Sequence, residues 1–342
     1  MNAPGIGLSA QIPRHSSTVA ALIAEARRNP LRWLVPGIVI EGGQHVLHGR
    51  EETFKTMVTL QLHEALATGG EFLGRPVNGK YRTGIVQLET KLNIFGSRLS
   101  RFFGNDAPPI EVFPSTLRLA VLNGKQPKDR IGIIAAWAKE YNLSFVSIDS
   151  AVKLFPSNCD LSRPEQASEI FNQLQLLPTI WMLAHDRKMA QGFGDQLGNQ
   201  EIVGSGRFAQ DPDIVHQMIR PDGRAPRVIF NWGKVRDGEK SDPLELWFDK
   251  LDFRLYPIHP YIHLLRPGAR FEEEIVQEAE QRYGWKERRA REFIATLKKL
   301  CTCDDVAAIS ERQEGHKKLL EMIGEPLPAA IDLPDGLIGP TT

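Results

Sequence analysis

The feature that most constrains this chain is a series of short apolar runs, spaced by stretches of helical character, between residues 45 and 186. HVLHG (45–49), GIVQLE (84–89), LRLAVLN (117–123), LSFVSID (143–149) and PTIWMLAHD (178–186) read as buried strands. Helices are predicted over Thr18–Arg28, where Val19, Ile23 and Ala26 share a face and Asn29-Pro30 is the stop, and over Lys55–Ala67, closed by Gly69-Gly70. Two more are predicted over Lys128–Tyr141 and Pro164–Leu176. Strand and helix alternating at this spacing predict a parallel sheet with covering helices. After Gly206 the texture changes to DIVHQMI (213–219), PRVIFNWGKV (226–235) and LELWFDKLDFRL (244–255), which predict antiparallel strands closing that sheet.

The 342 residues divide in this reading into a leader and helix (1–29), an α/β core (30–256), a proline-containing linker (257–269), a small helical domain (270–323) and a tail (324–342). With 42% hydrophobic and 25% charged residues the composition is globular, and disorder, collagen and coiled coil are excluded. No run approaches the roughly 18 apolar residues of a membrane span. The N-terminus lacks the basic start and apolar core of a secretory signal. Three cysteines are too few for a disulfide framework and predict a reducing cytoplasm. Cys301-Thr302-Cys303 has no second ligand pair nearby, so zinc is not expected. Lys+Arg and Asp+Glu balance at 42 each, so no global positive field exists and any nucleic-acid binding must come from a local patch.

The strongest local signal is the strand HVLHG, the loop Arg50-Glu51-Glu52-Thr53-Phe54, and Lys55-Thr56-Met57 opening a helix. This is the phosphate-loop pattern G-x-x-x-x-G-K-[ST] with Phe54 where the second glycine belongs. Gly49, Lys55 and Thr56 supply the close backbone approach, the cation and the hydroxyl for Mg²⁺. Phe54 would have to hold a positive φ, at roughly 1–3 kcal/mol of strain. Glu51 and Glu52, at ~8 Å from a triphosphate, would each oppose it by about 2 kcal/mol. A structural turn is the alternative to a nucleotide loop. Downstream, GIVQLE ends in Glu89, LSFVSID in Asp149 and PTIWMLAHD in His185, with Lys188 beyond. Strand carboxyl ends are where such sheets bind ligands. A carboxylate there can orient water, another can reach a metal ion, and a histidine can bond the γ-phosphate.

Together these residues resemble the RecA-like hexameric ATPases, in particular plasmid RepA-type and DnaB-type helicases and their mobile-element relatives. One branch carries a loop G-x-x-G-[ST]-F-K-[ST], which HGREETFKTM matches at Gly49, Thr53, Phe54, Lys55 and Thr56, with Glu52 replacing the branch's glycine. That branch also has the Glu41-Gly42-Gly43, ATGG-FLGRPV (67–77) and Gly96-Ser97-Arg98 elements. The similarity implies ATP on Gly49 to Met57, Mg²⁺ on Thr56 and Asp149, Glu89 as catalytic glutamate, and His185 with Lys188 as sensor. Asp211-Pro212-Asp213-Ile214-Val215 and Gly233-Lys234-Val235-Arg236-Asp237-Gly238 are similar to DnaB-like stretches, the second a hairpin whose Lys and Arg reach the neighbouring subunit's nucleotide. Lys234 and Arg236 are therefore the expected fingers, with Arg207 a rival. The resemblance covers roughly 31–255 and implies a RecA-like ATPase in a homo-oligomer, possible as a hexamer, acting on DNA, with a single strand favoured.

The remaining candidate lies in the C-terminal segment. Helices over Glu272–Tyr283, Trp285–Leu300 and Asp304–Met322 would form a helix-turn-helix or winged bundle. Lys286, Arg288, Arg289 and Arg291 would then touch DNA phosphates, with a solvated charged face or a subunit contact as alternatives. The reading as a whole is a DNA helicase or translocase for a plasmid, phage or mobile element. Its rivals are a DNA-bound accessory ATPase and an oligomer with a non-hydrolysing loop.

Overall fold

A computed structural model of the chain describes residues 18–124, 126–155, 164–186, 207–221, 226–236, 238–257, 270–300, 308–314 and 317–323. Lys188, the three cysteines, the expected linker from residue 258 onward and the tail from 324 lie outside these residues. Helix α1 (Val19–Arg28) belongs to a unit of its own, Met1–Arg32; the Thr18 hydroxyl caps it by accepting from the Ala21 N–H, and it leaves Val19, Leu22 and Ile23 exposed.

The second unit begins with β1 (Trp33–Val35) and β2 (Val39–Ile40), a small hairpin, and then β3 (Gln44–Gly49) enters the main sheet. Helix α2 (Lys55–Thr68) follows, stopped by Gly69 in the left-handed conformation, where a side chain would be strained. A short hairpin, β4 (Glu71–Phe72) and β5 (Arg75–Pro76), leads to β6 (Thr83–Gln87), α3 (Leu92–Phe103) and β7 (Ile110–Val112). Next come α4 (Ser115–Asn123), α5 (Pro127–Glu140), β8 (Phe145–Asp149), a short 3-10 turn (Ala151–Leu154), α6 (Pro164–Leu174) and β9 (Thr179–His185). The core closes with α7 (Arg207–Gln210), β10 (Ile214–Ile219), β11 (Arg227–Val235), β12 (Leu244–Asp249) and β13 (Arg254–Tyr256).

These strands form a nine-stranded sheet in the order β13-β12-β11-β10-β3-β9-β8-β6-β7. The six strands from β10 to β7 are parallel and the β11–β13 edge is antiparallel. Alternate side chains feed two apolar layers, so both faces are covered, as a parallel sheet requires. Leu47, Ile85, Phe145, Trp181 and Met218 pack with α2 and the β1–β2 hairpin; Val46, Val86, Val146, Met182 and Val215 pack with α5 and α6.

The structure departs from the sequence expectation at three places. LRLAVLN is the body of helix α4, not a strand: Leu, Arg and Ala are strong helix formers, and the alternation fails because Leu119 is 63% exposed while Val121 is fully buried. Strand β10 is parallel to β3, with Ile214 opposite His45 and Met218 opposite Gly49, so antiparallel pairing begins only at β11. The long connection after His185 is what permits the parallel crossover.

The third departure is C-terminal. β14 (Arg270–Phe271), α8 (Glu272–Tyr283) and α9 (Glu287–Leu300) are followed by β15 (Ala308–Glu314) and β16 (Lys317–Ile323). The expected helix Asp304–Met322 is instead a hairpin, pairing Glu314 with Lys317 and completing a three-stranded sheet β14-β16-β15. A two-residue connection beginning with a glycine, Gly315-His316, is a hairpin signal that the helical reading overlooked. The C-terminal segment therefore combines two helices with a small sheet.

Candidate functional site

The loop between β3 and α2 is shaped by close approach. A Cβ on Gly49 would lie 2.5 Å from the Met218 carbonyl oxygen and 2.8 Å from the Thr53 hydroxyl, so only glycine fits. Phe54 caps α2 with φ +64, the left-handed conformation anticipated for it, and Glu52 holds φ +62. The Phe54 ring stacks on Phe248, with centroids 4.1 Å apart, and Arg220 covers it at 4.9 Å. Packing therefore offsets backbone strain at the position where the pattern has glycine.

Lys55 is buried, and its ammonium donates to the carbonyls of Gly49 and Arg50, each at 2.7 Å. Burial lowers its pKa to about 8, against the pull of Asp186, Asp149, Glu89 and Glu51. Thr53, also buried, donates its hydroxyl to the Arg50 carbonyl. At the first turn of α2 the Thr56 hydroxyl donates to Asp149 Oδ2 at 3.2 Å. Burial raises the Asp149 pKa, opposed by hydrogen bonds from Gln87 and Thr56. A hydroxyl and a carboxylate side by side are the hard oxygen donors that Mg²⁺ takes, so these residues fit that ion.

Register brings the other strand ends to the same edge. Gly49 sits opposite His185 across β3–β9, and Asp149 sits opposite Leu183 and Gln87. Glu89 lies two residues past the end of β6, and its Oε2 meets His185 Nε2 at 3.3 Å. That hydrogen bond, before any other influence, lowers the Glu89 pKa and keeps the carboxylate ionised. Glu51, Glu52, Thr53, Phe54, Lys55, Thr56, Met57, Glu89, Asp149 and His185 line one cavity of about 410 Å³, with Arg98, Phe248 and Phe253 on its walls. The structure thus gathers the loop and three of the four expected strand-end groups; the fourth, Lys188, is outside the described residues.

Lys234 and Arg236 lie elsewhere. Lys234 is level with Val215 and hence with Val46, near the amino end of β3, on the sheet edge opposite the cavity. Its ammonium donates to the carbonyls of Pro212 (2.6 Å) and Gln210. Arg236 pairs with Asp213 at 3.2 Å and donates to the Asp211 carbonyl at 2.9 Å. Neither reaches the nucleotide cavity of its own chain. Arg207, the rival finger, pairs with Asp211 at 3.3 Å. On α9, Arg288 is 88% exposed, whereas Arg291 is held by Glu272 (2.6 Å) and Glu287 (2.9 Å); Arg289 covers the Trp285 ring, and Lys286 precedes the helix.

Sequence reasoning missed several contributors. Phe248 and Phe253 read as ordinary strand apolars, and only tertiary packing turns them toward the loop. His48 and Asp186, adjacent to the glycine and the histidine of the site, form a buried contact of 2.6 Å. Gln87 was legible only as a lone amide inside an apolar run, yet it bonds Asp149.

Residues 10–191, just over half of the chain, match the family described as AAA domain. No curated protein matches the chain. Among solved structures, one described as a DnaB-like replicative helicase and its interactions with primase superposes with a TM-score of 0.53 at 16% identity, over 70% of this chain and 68% of that chain. At that identity the likeness is one of fold, and the fold is RecA-like. The family match spans the phosphate loop, Glu89, Asp149 and His185, and the chain belongs to the AAA domain family of P-loop ATPases.

Proposed function

We propose that this chain is an ATP-hydrolysing motor that works as an oligomer on DNA, as a helicase or translocase in the replication of a plasmid, phage or mobile element. The observation that carries the reading is the convergence of Lys55, Thr56, Asp149, Glu89 and His185 from four different strand ends on one cavity. ATP phosphates would lie along the loop from Gly49 to Met57. Thr56 and Asp149 would hold Mg²⁺, which supplies neutralisation of phosphate charge when bound. Glu89 orients the attacking water and accepts its proton. His185, whose Nε2 is bonded to Glu89, would turn that donor to the γ-phosphate, and loss of the phosphate would return it to the catalytic carboxylate. Lys188 would extend that sensor.

Lys234 and Arg236 act across a subunit boundary in this reading, because they sit on the wrong edge to serve their own chain. Positive charge delivered there stabilises the charge that spreads over the transferring phosphoryl group. Division at 257–269 between core and winged helical unit is part of the proposal, with Lys286, Arg288 and Arg289 facing DNA phosphates, a single strand favoured. Arg291, tied to two glutamates, contributes less.

The deciding experiment is phosphate release from Mg-ATP, with and without single-stranded DNA, alongside Lys55→Ala and Glu89→Gln. DNA-stimulated release that falls by about a hundredfold or more in both variants supports the motor. Release no higher than the Lys55→Ala background favours the non-hydrolysing alternative, to which Glu51 and Glu52 on the cavity wall lend weight. Stimulation without strand separation favours the accessory ATPase. A strict monomer with and without ATP removes the roles of Lys234 and Arg236.

A further inference from the structure

We propose that Gln87 is a positioning residue for hydrolysis, its single amide setting the Asp149 carboxylate and the Glu89 backbone in one fixed relation. The proposal rests on the ATPase reading above. Gln87 is 1% exposed and does not line the cavity. Its Nε2 donates to Asp149 Oδ2 at 3.0 Å, while its Oε1 accepts from the backbone N–H groups of Glu89 and Thr90, both at 2.9 Å. The Glu89 N–H is shared with the Asp149 carbonyl at 3.2 Å, and the Leu88 N–H bonds that carbonyl at 2.6 Å. The side chain therefore curls over the end of its own strand and closes the gap to β8.

The chemistry needs an amide of this length. A buried polar group without partners costs about 1–3 kcal/mol, yet both ends of this one are satisfied. Oxygen Oδ2 of Asp149 receives Gln87 and Thr56 together, which fixes how the carboxylate faces the first turn of α2. Asparagine is one methylene too short to reach Asp149 and the 89–90 turn at once. Glutamate has the reach and keeps the acceptor but has lost the donor. A residue that merely capped the strand end would use only Oε1, so the donor separates the two roles.

The test measures kcat and KM for ATP of the full chain for wild type, Gln87→Glu and Gln87→Met. Gln87→Glu keeps the length and the acceptor and loses the donor, so it should lose about tenfold or more in kcat, with KM within about threefold, since Gln87 does not line the cavity. Gln87→Met, which keeps neither donor nor acceptor, should lose at least as much. Wild-type kcat in Gln87→Glu overturns the proposal, because the acceptor of a strand cap is then sufficient. So does a loss carried by KM with kcat unchanged. If wild type releases no phosphate above the Lys55→Ala background, the ATPase reading itself fails and the role of Gln87 in hydrolysis falls with it, an outcome distinct from an active wild type with unaffected variants.

Discussion

Lys55 shows how much a single residue's state depends on burial. Its ammonium is removed from water and satisfied by two loop carbonyls, and its pKa falls to about 8 from an ordinary 10.5. Bound phosphate holds the proton on, so nucleotide binding takes up a proton once pH exceeds the free-state value. Affinity for ATP should therefore weaken by about tenfold between pH 7 and pH 9, as the protonated fraction of the free lysine falls by that factor. Competition titrations with a fluorescent nucleotide read this directly; an affinity unchanged over that range would falsify the assignment. Phe54 teaches a complementary lesson. Its positive φ was legible from the motif, but the Phe248 stack that makes it tolerable was not, because Phe248 lies almost 200 residues away in sequence.

At the scale of elements, the β12–β13 turn joins the cavity to helix α8. Phe248 and Phe253 line the cavity, while Asp249 and Asp252 between them grip Arg282 of α8 at 2.6 and 3.2 Å. Asp249 is fully buried, so removal of the Arg282 guanidinium takes a cation away from a charge inside the protein. Arg282→Met should destabilise the chain by about 3 kcal/mol or more in urea unfolding. Asp249 also caps the turn, accepting from the Leu251 and Asp252 N–H groups. Asp249→Asn keeps that acceptor without the charge, so the double variant Asp249→Asn, Arg282→Met should regain a substantial part of the loss. A double variant no better than Arg282→Met alone would sink the buried-charge account. The ion pair itself was invisible in sequence, where Asp249 and Arg282 stand 33 residues apart.

Across the whole molecule, the core carries a set of histidines, on strands and on helix α2, that fold only when neutral. His45, His63 and His216 have no exposure, and burial lowers their pKa values from 6.5 to about 4, 3 and 3. A base with a depressed folded pKa contributes stability that is present above the unfolded value and lost as pH falls through 6.5 toward those values. At pH 5.5 the loss is about 1.4 kcal/mol for each, so unfolding free energy should drop by about 4 kcal/mol between pH 8 and pH 5.5. That is a large share of a typical 5–15 kcal/mol. Urea titrations at the two pH values test it, and a drop under about 1 kcal/mol contradicts it.

Local spacing determined the phosphate loop, the strands around it and the groups at their ends. Periodicity and the order Gly49, Lys55, Thr56 are properties of neighbours in the chain, and neighbours bonded in sequence are constrained whatever lies around them. The tertiary structure decided what depends on residues far apart. It made residues 115–123 a helix by leaving Leu119 in water, and laid β10 parallel to β3. It also set Lys234 and Arg236 on the edge away from the cavity and closed Gln87 onto Asp149. Each of these turns on which surface meets which across the core, and a buried partner is chosen by packing and hydrogen-bond satisfaction, neither of which a residue's own sequence neighbours encode.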